Sequence, residues 1–415
     1  MKLVFLFLAF VLTSCAASRN GPQLASINLI DANGSSETIS NEGRLKQFQK
    51  VNFLVPQPYK KVLRVYKRDP EGNITACITT YHPNGELKQY LELVNGRAFG
   101  EYGVWYDSGI RKIKAQVIGG NGDLYEGVEN SWVFDEVCYA YDEQGSLEAT
   151  IPYVKGKRNG TALYYHTNGA LWKEIPLEND CVHGTYLVYL SDGSLFEKIT
   201  YCEGKKEGEA FKYWKEGKIC YEECYQNDNL INGLYYSIEG DLISEVKCGN
   251  GFKAIFGKDC VQEFREYREG VEEGLVKVVD KNGAVTRVYG IKNGLKHGEE
   301  IEYYPVTKKP KLSIGWNQGK VQGLVKTWYP NGGQESQREM AGNKRMGILT
   351  AWYSDGSLML LENYDQDKLV KGEYFKQGET FPVSTVTNGN GIATLFDANG
   401  LFLHKVNYRY GQPED

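Results

Sequence analysis

The stretch "HGTYLVYLSDGSLFEKITYCEGKKEG", residues 183–208, decides the fold, because nearly the same wording stands on both sides of it. Residues 159–184 read "NGTALYYHTNGALWKEIPLENDCVHG", and residues 207–233 read "EGEAFKYWKEGKICYEECYQNDNLING". Repetition at a short fixed period is typical of a repeat array. It overrides the two or three globular domains that 415 residues would otherwise suggest.

Each repeat has the pattern of one β-hairpin. An aromatic residue stands five positions after a repeat-starting glycine, and four positions further on a second glycine usually follows Asn, Asp or Ser. Such a glycine between two apolar runs indicates a hairpin turn, because glycine adopts the left-handed conformation without steric cost. We predict that the aromatic positions form a column that packs from hairpin to hairpin: Trp105, Tyr165, Tyr189, Tyr213, Tyr303, Trp328, Trp352 and Phe396.

A second kind of turn joins each hairpin to the next. It reads "EGKKEG" at 203–208, "NGLKHG" at 293–298 and "QGKVQG" at 318–323, and its last glycine starts the following repeat. Hairpins joined by tight turns leave no room for helical crossovers. The sequence therefore predicts an all-β fold, an elongated single-sheet antiparallel meander of repeated β-hairpins in which each hairpin is stabilised by its neighbours.

The wording "Y…NG…L…Y…NGK…G" resembles the variant MORN repeats of bacterial proteins. The resemblance spans residues 81–400, with degenerate units near Gly251, Pro305 and Gly378. It implies a curved sheet with stacked aromatic side chains and no enzymatic activity. It also implies one of three functions, which are scaffolding, membrane contact and toxin neutralisation, since many members are regarded as antitoxins of polymorphic-toxin systems.

The N-terminus has the features of a bacterial export signal. Lys2 precedes an apolar run at 3–12 that is too short to span a bilayer, and "LTSC" follows at 12–15. These four residues resemble a lipobox, which implies cleavage before Cys15 and its acylation, and hence a durable anchor. The alternative is a plain secretory signal with an incidental cysteine. Lipidation of Cys15 predicts a location at the cell membrane or outer membrane, facing the periplasm or the cell surface.

Four segments follow from these patterns. A lipoprotein signal peptide covers residues 1–14, and a flexible tether rich in Ser, Asn and Gly covers 15–42. An N-terminal β-hairpin region at 43–80 caps the MORN-like repeat array at 81–410. Eight further cysteines occupy different offsets within their repeats. Their even number permits disulfides of unknown connectivity, but we expect most of them to be small buried hydrophobes.

Composition and motifs exclude several function classes. Lys and Arg number 48 against 53 Asp and Glu, a net charge of −5, and nothing in this balance indicates nucleic-acid binding. No HExxH, GxSxG, Walker or GxGxxG motif occurs in a strand-to-helix context, and no helical segment is evident. We therefore expect no catalytic site, cofactor, metal or small-molecule substrate.

Two groups of polar residues could still be ligands. His82 and His166 fill the same slot in their repeats, which is more typical of solvated turn positions than of metal ligands. The acidic insert at 119–136 offers Asp123, Glu126 and Glu129 to Ca²⁺ but lacks the spacing of a known calcium loop. We expect this insert to be a solvated hairpin extension.

The turns between repeats predict a binding edge. In a meander they all lie along one edge of the sheet, roughly 9–10 Å apart, so the fields of their charges overlap within a Debye length. Such an edge would contact phospholipid, lipopolysaccharide or an acidic protein, unless its charges only keep the turns soluble. Its cations are Arg97, Lys157, Arg158, Lys205, Lys206, Lys296, Lys320, Lys344 and Arg345.

Two function classes remain. The first is a lipid-anchored, non-catalytic repeat scaffold that binds another macromolecule or an anionic surface at the bacterial cell envelope. The second is an immunity or antitoxin protein that neutralises a partner toxin by direct binding. In both classes the protein contacts the membrane through its N-terminal lipid. Neither class identifies the protein or anionic envelope component that it binds.

Overall fold

The computed structural model describes residues 22–56 and 60–414, so the predicted signal peptide and Cys15 lie outside the described residues. The chain forms two compact units, unit 1 up to Ser194 and unit 2 from Leu195 onwards, a division that the repeat pattern had not predicted. Within each unit, strands that follow one another in the sequence pair antiparallel. The predicted all-β hairpin meander is confirmed. Within the described residues, no helix combines the length and apolar character needed to cross a membrane.

Unit 1 combines fourteen strands with a short α-helix, α1 (Glu42–Phe48), and a 3₁₀ turn (Val128–Ser131). Its strands are β1 (Gln23–Asp31), β2 (Ser36–Ile39), β3 (Lys60–Arg68), β4 (Ile74–Tyr81), β5 (Leu87–Val94), β6 (Arg97–Trp105), β7 (Arg111–Val117), β8 (Phe134–Tyr141), β9 (Leu147–Val154), β10 (Lys157–Arg158), β11 (Gly160–Tyr165), β12 (Leu171–Glu178), β13 (Cys181–Val182) and β14 (Gly184–Tyr189).

Unit 2 consists of strands joined by short turns. They are β15 (Leu195–Cys202), β16 (Lys205–Tyr213), β17 (Ile219–Gln226), β18 (Asn229–Tyr236), β19 (Leu242–Lys247), β20 (Asn250–Phe256), β21 (Val261–Arg268), β22 (Val271–Val279), β23 (Val285–Lys292), β24 (Leu295–Lys296), β25 (Gly298–Tyr303), β26 (Pro310–Asn317), β27 (Lys320–Trp328), β28 (Gln334–Ala341), β29 (Lys344–Trp352), β30 (Leu358–Asp365), β31 (Lys368–Tyr374), β32 (Ser384–Thr387), β33 (Asn390–Phe396), β34 (Phe402–Arg409) and β35 (Gln412–Glu414).

The two predicted turns differ in geometry. The turn inside a hairpin is closed by backbone hydrogen bonds, as in Trp214 N to Lys218 O at 2.8 Å, and Gly217 has a φ of 81°. The turn between hairpins has only two residues, both left-handed, such as Glu203 with φ 50° and Gly204 with φ 82°. These angles are typical of a type I′ turn, whose twist matches that of the flanking strands.

The repeat-starting glycine is not the last residue of that turn, as the sequence had suggested, but a bulge a few residues later. Gly100 has a φ of 123°, and a Cβ there would collide with the Glu92 carboxylate. That carboxylate instead accepts a hydrogen bond from Glu101 N at 2.8 Å. The strand pairing shifts at this point, between Leu91 and Leu93. A glycine is required because the extra residue of the bulge is left-handed.

The predicted flexible tether at 15–42 is wrong for its described part. Strand β1 pairs with both β2 and β3, and it alternates apolar residues that include the buried Ile27. Asp31 closes the turn after β1, because its Oδ1 accepts hydrogen bonds from Asn33 N and Ser35 N. The predicted hairpin region at 43–80 contains the hairpin β3–β4, but α1 precedes it. The side chain of Asn41 caps the N-terminus of α1.

The apolar cores lie on the sheet faces of the units. In unit 1, one core joins β4 to β7 through Ile78, Leu91 and Tyr102, and a second one joins β1 to β3 and to Leu45 of α1. In unit 2, a core around Tyr374 joins β30 to β33.

The cysteines differ from the expectation. All eight described cysteines are free thiols, and four of them are exposed: Cys181, Cys202, Cys248 and Cys260. Only Cys220 is fully buried, and the other three are half-buried, so the prediction that most are buried hydrophobes is wrong.

Candidate functional site

The contact that recurs between repeats involves the residue after each predicted aromatic position. The eight predicted rings are half-buried, and in three repeats of unit 2 the next residue is buried: Trp214 is 6% exposed, Tyr329 9% and Tyr353 0%. Its polar end reaches the following repeat, where Tyr329 Oη donates to the carbonyl of Trp352 at 2.8 Å and Tyr353 Oη to that of Phe375 at 2.7 Å. The column is therefore displaced by one residue and rests on hydrogen bonds to backbone carbonyls.

The two turn histidines belong to the same column. His82 Nε2 lies 2.9 Å from the carbonyl of Trp105, and His166 Nε2 lies 3.0 Å from that of Tyr189. A carbonyl only accepts, so Nε2 carries the proton in each ring. The expectation that these histidines are solvated is wrong, and they join neighbouring repeats.

The nine predicted edge cations all lie in or directly after the two-residue turns, in both units. Three are turned onto the sheet, where Lys206 lies 4.8 Å from the ring centre of Tyr225 and Arg345 lies 4.1 Å from that of Tyr364. The third is Lys296. The six that are exposed along the edge are Arg97, Lys157, Arg158, Lys205, Lys320 and Lys344.

Acidic and amide side chains occupy the same turns and hold each turn to the one before it. Asp180 Oδ1 accepts from Arg158 N at 3.0 Å, while Asp180 N donates to Arg158 O at 3.0 Å. Asp367 makes the same pair of bonds to Arg345, and Asn343 makes them to Val321. We call this pair of bonds the turn staple. Arg158 also forms an ion pair with Asp180 at 3.1 Å, so the edge carries both signs of charge.

Acid should open two of these staples and spare the third. Hydrogen bonds from the backbone amides of Arg158 and Arg345 hold the pKa values of Asp180 and Asp367 below the ordinary 3.8. Because these pKa values are lowered on folding, the stabilisation is complete above pH 3.8 and is lost as the pH falls through the lowered values. We expect the amides of Arg158 and Arg345 to lose protection in acid, measured as the exchange rate relative to the intrinsic rate at the same pH. The staple made by Asn343 cannot titrate and is the internal control; an equal loss of protection at Val321 would contradict this account.

One face of the unit 2 sheet brings charged side chains and aromatic rings together. Lys296 Nζ lies 4.8 Å from the ring centres of both Tyr289 and Trp316. The buried Glu300 carboxylate accepts from Lys296 Nζ at 2.6 Å and from Trp316 Nε1 at 2.8 Å. Paired residues of adjacent strands lie on the same face. We call the face that carries Tyr225, Lys253, Tyr289, Lys296, Arg345 and Tyr364 the ring–cation face.

The most buried charge on this face is Glu223. Its carboxylate accepts from the hydroxyls of Tyr225 and Tyr235, each at 2.7 Å, and pairs with Lys253 Nζ at 2.6 Å. Burial, and then the charge of Glu223, raise the pKa of both tyrosines far above the usual value. Burial, and then the charge of Lys253, lower the pKa of Lys206. These phenols stay neutral and donate to the carboxylate.

The sheet curls where this cluster forms, which brings β17 and β20 together. The turns at Gly249 and Gly270 bond each other and the start of β18, with Leu230 N donating to Gly270 O at 2.9 Å and Gly270 N to Gly249 O at 3.0 Å. A Cβ on Gly249 would lie 2.5 Å from Gly270 N. Glycine is therefore required for the close approach.

A second copy of the cluster appears later in unit 2. Glu362 accepts from Tyr364 at 3.0 Å and from Tyr374 at 2.7 Å, with the same residue spacing as in the Glu223 cluster. The position equivalent to Lys253 is Ala393, since each stands two residues after a glycine of positive φ, Gly251 at 139° and Gly391 at 143°. Only the first copy therefore contains a buried ion pair.

The acidic insert at 119–136 packs onto the sheet of unit 1, so the predicted solvated extension is wrong. Val128 is 1% exposed and Trp132 6%, and both belong to the core that β4 to β7 form. Asp123 pairs with Arg64 of β3 at 2.7 Å. Across the described residues, no three acidic, His or Cys side chains are close enough together to hold a metal ion.

Comparison with known families agrees with this geometry. Residues 158–179 and 206–227 match the family model of the MORN repeat variant. The chain contains MORN repeats. Each matched segment begins at or beside an edge cation, contains one hairpin turn and ends in the next two-residue turn. A MORN repeat in this protein is therefore one hairpin together with its staple.

Similarity to individual proteins is low. No curated protein sequence matches the chain. A solved porin-like protein from Bacteroides uniformis ATCC 8492 is 12% identical, with a TM-score of 0.14, over 58% of this chain and 94% of that one. A putative 6-phosphogluconolactonase from the same strain is 11% identical, with a TM-score of 0.13, over 88% of this chain and 99% of that one. TM-scores this low do not establish a shared fold.

Proposed function

We propose that this protein is a lipid-anchored, non-catalytic MORN-repeat scaffold of the bacterial cell envelope that binds a protein partner through its ring–cation face. The observation that supports this most is the repeated placement of aromatic rings beside fixed cations, with the rings of Tyr289 and Trp316 half-exposed. Tyr, Trp and Arg are the side chains that protein interfaces enrich. Rings held in place by a buried carboxylate, as Trp316 is by Glu300, lose little conformational entropy when a partner binds.

The edge is a weaker candidate than the face. Its exposed cations are interleaved with Asp180 and Asp367, so its field partly cancels within a Debye length. On the face, by contrast, Lys296 and Trp316 are fixed by a common carboxylate, Glu300. Fixed charges and rings of this kind give a partner both orientation and specificity.

A photo-crosslinking residue at position 287 tests which face is used. Arg287 and Val288 are neighbours on β23, both half-buried, and they point to opposite faces. We expect a discrete protein adduct from position 287 in intact cells and none from position 288. A structural envelope protein in the adduct supports the scaffold, whereas a toxin domain would replace the scaffold by an immunity function. Adducts from 288 alone, or from neither position, would contradict the use of this face.

The anchor is tested separately. Changing Cys15 to Ser removes the only side chain that the lipobox assigns for acylation, so we expect the exported protein to move from the membrane fraction to the soluble fraction. Circular dichroism of the released protein controls for folding. Quantitative retention in the membrane fraction would show that Cys15 is not the anchor.

A further inference from the structure

The insert at 119–136 is a preformed element, not a loose loop. The Trp132 ring packs edge-on against Tyr102, with centroids 4.6 Å apart, and its Nε1 donates to Asn121 O at 2.9 Å. The ion pair between Asp123 and Arg64 holds the other end of the insert to β3. Insertions in repeat arrays commonly form the binding face.

A cavity of about 570 Å³ lies between this insert and strands β3 to β5 of unit 1. Its volume falls within the range of roughly 300–1,000 Å³ that is typical of small-ligand sites. Leu124, Glu126 and Glu129 line it from the insert, and Thr80, Lys88 and Gln89 from the sheet. The site therefore has one wall on a rigid sheet and the other on an anchored insert.

Charges of opposite sign line the two walls. Lys88 lies on the sheet side, and Glu126 and Glu129 lie on the insert side. Asp123 of the same insert is neutralised by Arg64, but these three side chains form no ion pair with any residue that the structure describes. Opposite charges on the two walls of a cavity attract a ligand that has both an ammonium and a carboxylate group.

The polar side chains on the sheet side of the cavity can hydrogen-bond a peptide backbone. Thr80 Oγ1 donates to Gln89 Oε1 at 3.2 Å, and the Gln89 amide lies 3.5 Å from Tyr102 Oη. Both side chains keep further donor or acceptor capacity after these bonds are made. They stand on the sheet side of the cavity, as does Lys88.

We propose that this cavity binds a short zwitterionic peptide, with its amino group beside Glu126 and Glu129 and its carboxylate beside Lys88. The site goes beyond the scaffold function and lies on a different unit from the ring–cation face. It also departs from the sequence expectation that this protein takes no small molecule.

Isothermal titration of the whole chain with trialanine tests the proposal. We expect saturable binding of trialanine, and binding at least tenfold weaker for N-acetyl-trialanine amide, which lacks both charges. Lys88→Met should weaken trialanine binding tenfold or more. Lys114→Met is the matched control, because Lys114 is an exposed lysine of β7 on the opposite face and should leave binding unchanged.

If Lys88→Met fails to fold, Glu129→Gln with folding checked by circular dichroism gives the same comparison. Absence of saturable trialanine binding at millimolar concentration would overturn the proposal. Equal binding of the blocked peptide, or loss of binding in Lys114→Met as large as in Lys88→Met, would also overturn it. None of these results bears on the crosslinking at position 287, so the two proposals fail separately.

Discussion

Replacing Tyr353 with Ala should lower the free energy of unfolding of unit 2 by about 3–5 kcal/mol, the usual cost of truncating a large buried aromatic side chain. Tyr353 is fully buried, and its hydroxyl is bonded to the carbonyl of Phe375. The substitution leaves a cavity and also an unpaired buried carbonyl. Urea unfolding followed by circular dichroism measures the change.

Trp352→Ala is the matched control for this prediction. Trp352 is the adjacent, larger ring but is only half-buried, so a smaller loss is expected. If Trp352→Ala cost as much as Tyr353→Ala or more, the inter-repeat column would lie at the positions that the sequence had suggested, and the displacement by one residue would be wrong.

Removing Lys253 should have a comparable effect. Lys253→Met leaves the Glu223 carboxylate buried without its cation, and breaking a buried ion pair costs about 3–5 kcal/mol. Glu223 is 1% exposed in its side chain and Lys253 15%, so water cannot replace the lost partner. Urea unfolding again measures the loss.

Two variants control for the loss of Lys253. Lys371, whose side chain is 62% exposed, pairs with Glu373 at 2.8 Å, and Lys371→Met should change the free energy of unfolding by no more than about 0.5 kcal/mol. The double variant Glu223→Gln with Lys253→Met should lose less stability than the sum of the losses in the two single variants. Each single variant leaves one charge of the buried pair without its partner, whereas the double variant leaves none. Additive losses would refute the coupling of this pair.

The hairpins and their turns could be predicted because a glycine recurs at a fixed spacing in the sequence, and this glycine marks each turn. The column could not be placed, since two aromatic residues stand side by side in several repeats. The strand pairing shifts by one residue at this point, between Ala351 and Trp352. Such a bulge reverses which of the two adjacent aromatic side chains faces the core. The alternation of apolar and polar residues along the sequence does not reveal a bulge.

The Glu223–Lys253 pair could not be predicted from local patterns. The two residues belong to β17 and β20, which meet only because the sheet curls at Gly249 and Gly270. The turn staple, by contrast, had a readable signal in the Asp or Asn that recurs at the second turn position, in Asp180, Asn343 and Asp367.

The prediction that the insert at 119–136 is solvated was wrong because its glycines and acidic residues are typical of solvent-exposed loops. Val128 and Trp132 were the contrary signal, since a Trp within a polar loop usually packs against something. Their burial against Tyr102 places the insert where it forms the second wall of the cavity. No pattern in the sequence indicates that this wall lies opposite Lys88.

Amide hydrogen exchange of Tyr353→Phe tests most directly the claim that the side chain after each predicted aromatic position helps to hold one repeat to the next. The substitution removes only the hydroxyl that bonds the carbonyl of Phe375. Because each repeat touches only its neighbours, exchange should quicken in β29 to β31 and stay unchanged in β20 to β23. Equal acceleration in both regions, or none in either, would contradict the account.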